Sequence, residues 1–116
     1  MKIAKFWTTL FFILLISVSY AFAENPNRIL SNSEDWKDVY SVMMYGNLIG
    51  VPANFLVSDK HATLILNQIP TEEHIWAITS QKTPYVVGYK ALLSSRGYSS
   101  EEFTYTNVNL EIARRL

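Results

Sequence analysis

The chain contains no cysteine among its 116 residues. That excludes thiolate metal cages, thiol nucleophiles, redox chemistry and the disulfide staples on which small exported domains often rely. Imidazole is nearly as scarce: His61 and His74 are the only two histidines. A zinc site built on them would also need carboxylates in the right places. Glycine signatures are missing as well, with no Gly-x-Gly-x-x-Gly, no Walker-type loop and no Gly-x-Ser-x-Gly elbow. A Ser/His/Asp set could be drawn only from Ser33, His61 and Asp38, and nothing in their spacing supports it. Asp35 and Asp38 share a helix face, but a place in a first turn already accounts for both through the helix dipole. No catalytic residue, metal or cofactor is expected. Basic stripes are also absent, which excludes nucleic acid as a partner, because affinity for a phosphate backbone depends on them.

Apolar sequence, in contrast, is concentrated at the start. Lys2 and Lys5 precede an uncharged, mostly apolar run from Phe6 to Tyr20, and Ala21-Phe22-Ala23 supplies the small-x-small pattern of a signal-peptidase site. Residues 1–23 therefore read as a signal peptide cleaved between Ala23 and Glu24. The alternative is a retained anchor, since Phe6 to Ala23 is 18 residues long, near the roughly 20 that cross a bilayer. Thr8, Thr9, Ser17 and Ser19 weigh against it. An uncleaved segment is the only membrane contact expected, and the location is secreted or cell surface. Removal leaves 93 residues with eight basic and ten acidic side chains, and the formal net charge moves from zero to minus two. That length suits one small domain with one modest core.

From Asn27 onward, β-rich runs alternate with helix-period segments. Strands are expected at Arg28 to Ser31, Ala53 to Val57 (the length of a buried strand), His74 to Thr79 and Glu102 to Tyr105. Helices are expected at Glu34 to Leu48, His61 to Gln68, Val86 to Arg96 and Leu110 to Leu116. Trp36, Val39, Tyr40, Met43 and Asn47 would share one stripe of the first helix; Leu64, Ile65 and Ile69 carry the spacing of the second. Val87, Ala91 and Leu92 would face inward in the third. Gly50 with Pro52 should end the first helix and Gly97 the third. This alternation predicts an α/β fold: a small three-layer sandwich with a mostly parallel four-stranded sheet, Rossmann-like or toprim-like, forming one domain over residues 24–116. The short last helix suggests a truncated C-terminus whose uncovered apolar face would drive self-association.

Ligands of open parallel sheets sit beyond the carboxyl ends of the strands. Small polar residues gather there: Ser31, Asn32 and Ser33 after the first strand, Ser58, Asp59 and Lys60 after the second, Thr79 to Lys82 after the third, and Thr106-Asn107 after the fourth. The opposite loops, Tyr98-Ser99-Ser100 among them, read as plain turns. Ser31, Asn32, Ser33, Ser58, Asp59, Ser80 and Lys82 are the candidate ligand-binding residues. Hydroxyls, helix N-terminal amides and a lysine suit an anionic group such as a polymer carboxylate or phosphate. The competing explanation is that Ser, Thr, Asp and Asn are the preferred helix N-caps and follow strands in any α/β domain. Tyr85 and Tyr89, beside the Lys82 loop, are the aromatic pair expected to be exposed.

Leu30 to Pro70 resembles the type 2 cell wall-binding repeat of prokaryotic surface proteins, closest to secreted archaeal surface proteins with a related domain. The matching residues are Ser31-Asn32-Ser33, Asp38-Val39-Tyr40-Ser41, Pro52 to Ser58 and Ile69-Pro70. Thr79-Ser80 stands where that family has Gly-Gly, and one copy is present where the family has about three. The resemblance implies a parallel α/β unit that attaches non-covalently to an anionic wall or surface polymer. The partners expected are that polymer and a second copy or another surface protein. Two other classes compete: a structural or assembly fragment with no ligand of its own, and a small extracytoplasmic hydrolase or solute binder.

Overall fold

A computed structural model describes residues 25–116; the expected signal segment and its Ala23/Glu24 boundary lie outside them. Strand β1 (Arg28–Asn32), helix α1 (Trp36–Ile49), strand β2 (Ala53–Phe55), helix α2 (Asp59–Ile65), strand β3 (His74–Ser80), helix α3 (Tyr89–Ser95), strand β4 (Ser99–Tyr105) and helix α4 (Val108–Arg115) follow one another, with a 3₁₀ turn at Leu66–Gln68. The strands form one sheet in the order β2-β1-β3-β4, and every pairing is parallel. Parallel neighbours need crossovers, and the helices supply them on both faces. One face holds Leu30, Ile75 and Ala77 under Ala62, Tyr89 and Leu93, from α2 and α3. The other holds Ile29 and Ile78 under Val42, Val108 and Ile112, from α1 and α4. The expected parallel α/β architecture is observed, with two thin cores separated by the sheet.

Helix ends follow local chemistry. Asp35 caps α1 by accepting from the Lys37 N–H at 2.9 Å, and Gly50 closes it in the left-handed region at φ 73°. There Val51 N–H donates to Gly46 at 2.8 Å and Gly50 N–H to Asn47 at 3.3 Å, which is a Schellman closure. Gly97, at φ 88°, closes α3 in the same way: Tyr98 N–H reaches Leu93 and Gly97 N–H reaches Ser94, both at 3.1 Å. Both helix ends fall where the glycines placed them.

Which face turns inward differs from expectation in each crossover helix. In α1 the buried positions are Asp38, Val42 and Gly46, while Trp36 and Tyr40 are 72% and 60% exposed. Two contacts rotate the helix: the Asp38 carboxylate is drawn in by the residues after β1 and at the start of α4, and Gly46 lies against Ala53 and Val51. In α2, Ala62 is buried and Ile65 packs against the core but Leu64 faces out; just beyond the helix Leu66 and, as its spacing implied, Ile69 are buried. In α3, Tyr89 and Leu93 are fully buried and Leu92 packs half-buried against the same core as expected, whereas Val87 is 89% exposed and Ala91 is exposed. The helix begins only at Tyr89 because Asn32 occupies the backbone of Val86 and Gly88 turns the chain at φ 72°. Tyr89 is thus a core residue, not half of an exposed aromatic pair; Tyr85 is half-buried.

The strands differ in two places. β2 is a three-residue edge strand, half-exposed, rather than a buried one. An apolar run has no way to show whether both of its flanks will be paired. β4 begins at Ser99, so Ser99 and Ser100 are paired with His74 and Ile75 and are not a turn. Gly97 reverses the chain so tightly that no turn residues are needed. The apolar side of α4, through Val108 and Ile112, is packed into the core and is not the uncovered face expected of the last helix.

Candidate functional site

At the carboxyl ends of β1, β3 and β4 the chain leaves a polar cleft of about 300 Å³. Its walls come from three strand-to-helix connections: Asp35, Lys37 and Asp38 after β1, Ser80 at the end of β3 with Lys82 and Thr83 beyond it, and Thr106, Asn107 and Asn109 after β4. The connections from β1 and β3 lead to helices on opposite faces, so the cleft lies beside the point where the strand order reverses, the usual crevice of such sheets. Glu34 N–H donates to the Thr83 carbonyl at 2.8 Å and ties the first two walls together.

The cleft floor is built, not accidental. Ser33 Oγ donates to Asp38 Oδ2 at 2.7 Å and accepts from Asp35 N–H at 3.1 Å. Asp38 Oδ1 accepts from Asn109 N–H at 3.2 Å, so one carboxylate joins the first turns of α1 and α4. Asn109 Oδ1 also accepts from Ser41 Oγ. Asn107 caps α4 through Leu110 N–H at 3.0 Å. The loop after β3 is held by Ser80 Oγ, which accepts from Thr83 N–H at 3.1 Å, and by Gln81, whose side chain accepts from Thr106 Oγ1 at 2.8 Å.

This accounting separates the seven candidates. Ser80 and Lys82 line the cleft. Ser33 is fully buried beneath it and holds Asp38. Asn32 is fully buried and spends its amide on Val86. Ser31 is buried at 1% exposure within β1. Ser58 caps α2 through His61 N–H at 3.0 Å, and Asp59 sits in the first turn of that helix. Neither lines the cleft, because β2 lies at the far edge of the sheet. Ser31, expected as the last residue of the strand, and Asn32, expected just after it, both lie within β1; the Asn32 amide is bound to Val86, while the buried Ser31 hydroxyl has no hydrogen-bond partner among the described residues. Lys37, Thr83 and Asn109 were missed. Only the first-turn position of Lys37 hinted at its place, since Asn109 comes to the cleft through the packing of α4 beside α1.

Two carboxylates and two ammonium groups face this space, but their situations differ. Asp35 and Asp38 already accept from groups of the chain itself, whereas Lys37 and Lys82 belong to no ion pair among the described residues. The ion pairs lie elsewhere. The best placed, Arg28 with Glu73 at 2.8 Å, also donates to Asn54 at 2.7 Å and ties β1 to β2 at the opposite end of the sheet.

His61 is part of a second depression of about 550 Å³ at the β2 edge, lined with Met43, Phe55, Val57 and Leu64 among others. Its Nδ1 accepts from Val57 N–H at 3.3 Å, and it has no part in the Ser33–Asp38 pair. Among the described residues no group of three metal-ligating side chains could hold an ion. No helix among them is long and apolar enough to cross a membrane. No protein-family model, curated protein or solved structure shows a significant match to the chain.

Proposed function

We propose that the domain is a secreted, envelope-associated binding module without catalytic activity, whose cleft takes an anionic segment of a wall or surface polymer. The observation that carries this reading is the juxtaposition of Lys37 and Lys82 in one polar cleft, where the neighbouring carboxylates are already engaged. The resemblance of Leu30 to Pro70 to a wall-binding repeat points to the same ligand class. The strand order β2-β1-β3-β4 is that of a doubly wound sheet of the flavodoxin-like kind rather than the Rossmann order, and in such sheets the ligand sits at the sheet end where the cleft lies.

The test is co-sedimentation of the purified protein with isolated envelopes, before and after their anionic polymers are stripped, over a salt series. Lys37→Gln combined with Lys82→Gln is the informative variant. Ser80→Ala is not, because the Ser80 hydroxyl supports the loop. Polymer-dependent binding that fades with salt and is lost in the double variant supports the reading. Equal binding by the double variant ends it. A second reading, an assembly component with no ligand of its own, is favoured by one observation: the apolar outer surface of α1.

A further inference from the structure

Helix α1 lies on the surface, yet Val39 to Ile49 contains no charged residue. A surface helix ordinarily carries its charges on the outward face. Here that face carries Trp36, Tyr40, Met44 and Leu48, spaced four apart as one ridge and 72, 60, 38 and 63% exposed. Met43, one position before Met44 and three after Tyr40, opens onto the depression at the β2 edge. There Phe55, Val57 and Leu64 are a further 44, 49 and 53% exposed. Ridge and groove are thus contiguous.

At about 200 Å² for a side chain of this size, the seven residues expose on the order of 750 Å². The largest apolar patch of an ordinary monomer is about 300–600 Å². A stable interface takes about 800 Å² from each partner. The patch has the size of one half of such an interface.

We infer that this face is the two-fold interface of a homodimer, in which the Trp36/Tyr40 ridge of each copy enters the Phe55/Val57/Leu64 groove of the other. An isologous interface requires one surface to be complementary to itself, and an apolar ridge beside a groove of about 550 Å³, whose apolar wall of Met43, Phe55, Val57, Leu64 and Ile65 is interrupted by Asn54, His61 and Gln68, meets that requirement. A membrane surface fits less well, because α1 has a single basic residue, Lys37, where a membrane-lying helix carries a basic rim. Pairing two copies also covers the short edge strand β2, which is otherwise open on one side.

The experiment is sedimentation equilibrium of the purified protein over a concentration series, alone and with neutral and anionic lipid vesicles. Tyr40→Glu and Leu48→Lys, each at an exposed position, are compared with Val87→Glu, an exposed apolar residue of the opposite face. The wild type and Val87→Glu should sediment as dimers. Tyr40→Glu and Leu48→Lys should weaken the dimer at least about 30-fold while keeping the wild-type circular dichroism, as loss of a central interface anchor does. A monomeric wild type overturns the inference, as does a dimer that both α1 variants leave intact. A monomer that instead moves onto vesicles assigns the face to a membrane. Lys82→Gln alone reports on polymer binding separately, since Lys37 lies over the Trp36 ring of the ridge at 6.0 Å.

Discussion

Asn32 holds Val86 by both of its main-chain groups. Its Oδ1 accepts from the Val86 N–H at 2.9 Å, and its Nδ2 donates to the Val86 carbonyl at 2.7 Å. The amide so replaces a strand partner for a loop residue 54 positions away. Fully buried at the end of β1, it connects the loop that precedes α3 to the centre of the sheet.

Asn32→Ala should therefore be among the most destabilising single changes in the domain. It leaves two main-chain groups of Val86 without their partner, at about 1–3 kcal/mol each. Urea unfolding should show a lower midpoint with an unchanged slope. Asn32→Asp should be little better, because a carboxylate cannot donate to the carbonyl.

Asp38→Ala should cost about 2–4 kcal/mol, since a buried carboxylate accepting from Ser33 Oγ and Asn109 N–H makes charge-assisted bonds. Asp38→Asn should cost less. Amide exchange in the first turn of α4 distinguishes this from a general loss of stability: Asn109 should lose protection before the sheet does.

Gly46→Ala should destabilise by about 1–3 kcal/mol, although alanine is the better helix former by about 1 kcal/mol. A Cβ at this position would stand 2.8 Å from Ala53 Cβ and 2.9 Å from the Val51 carbonyl oxygen. Both neighbours are on or next to β2, which would have to move. A stability gain on thermal unfolding would refute the close approach.

The two core tyrosines should respond oppositely. Tyr98 Oη donates to the carbonyls of Leu66 and Ile69 at 2.7 and 2.5 Å, so Tyr98→Phe should cost about 1–2 kcal/mol. Tyr89 Oη is buried with no hydrogen-bond partner among the described residues, and Tyr89→Phe should be close to neutral. Burial, aided by nearby Tyr98, pushes the Tyr89 phenol well above its ordinary value. The folded state then keeps a proton that the unfolded state loses near pH 10, so stability is full below about pH 10 and falls as pH rises above it. Alkaline unfolding of Tyr89→Phe should be measurably shallower than that of the wild type.

Much of the architecture is legible in the chain. Gly50 and Gly97 mark helix ends because only a residue without Cβ enters the left-handed region easily, and the alternation of strands with helical segments implies a parallel sheet. Facing directions were not legible. Periodicity says that a stripe exists but not which of two adjacent stripes wins: in α1 the polar Asp38 and the small Gly46 went inward and two aromatics went out. The cleft was half legible. Lys82 follows its strand as expected and Ser80 ends it, whereas Ser31 is buried within β1, Asn32 and Ser33 spend their side chains on Val86 and Asp38, and Asn109 arrives from the far end of the chain.

By itself the sequence determined the element order, the glycine-marked ends of α1 and α3 and the absence of thiol chemistry, since these rest on backbone propensity and side-chain chemistry within a few residues. Tertiary structure alone decided that β2 is an edge, that Asn32 is a clamp rather than a ligand contact, and that Trp36 and Tyr40 face outward. Those outcomes depend on which strands pair and how helices rotate over them, and such long-range burial is settled only when the whole core packs at once.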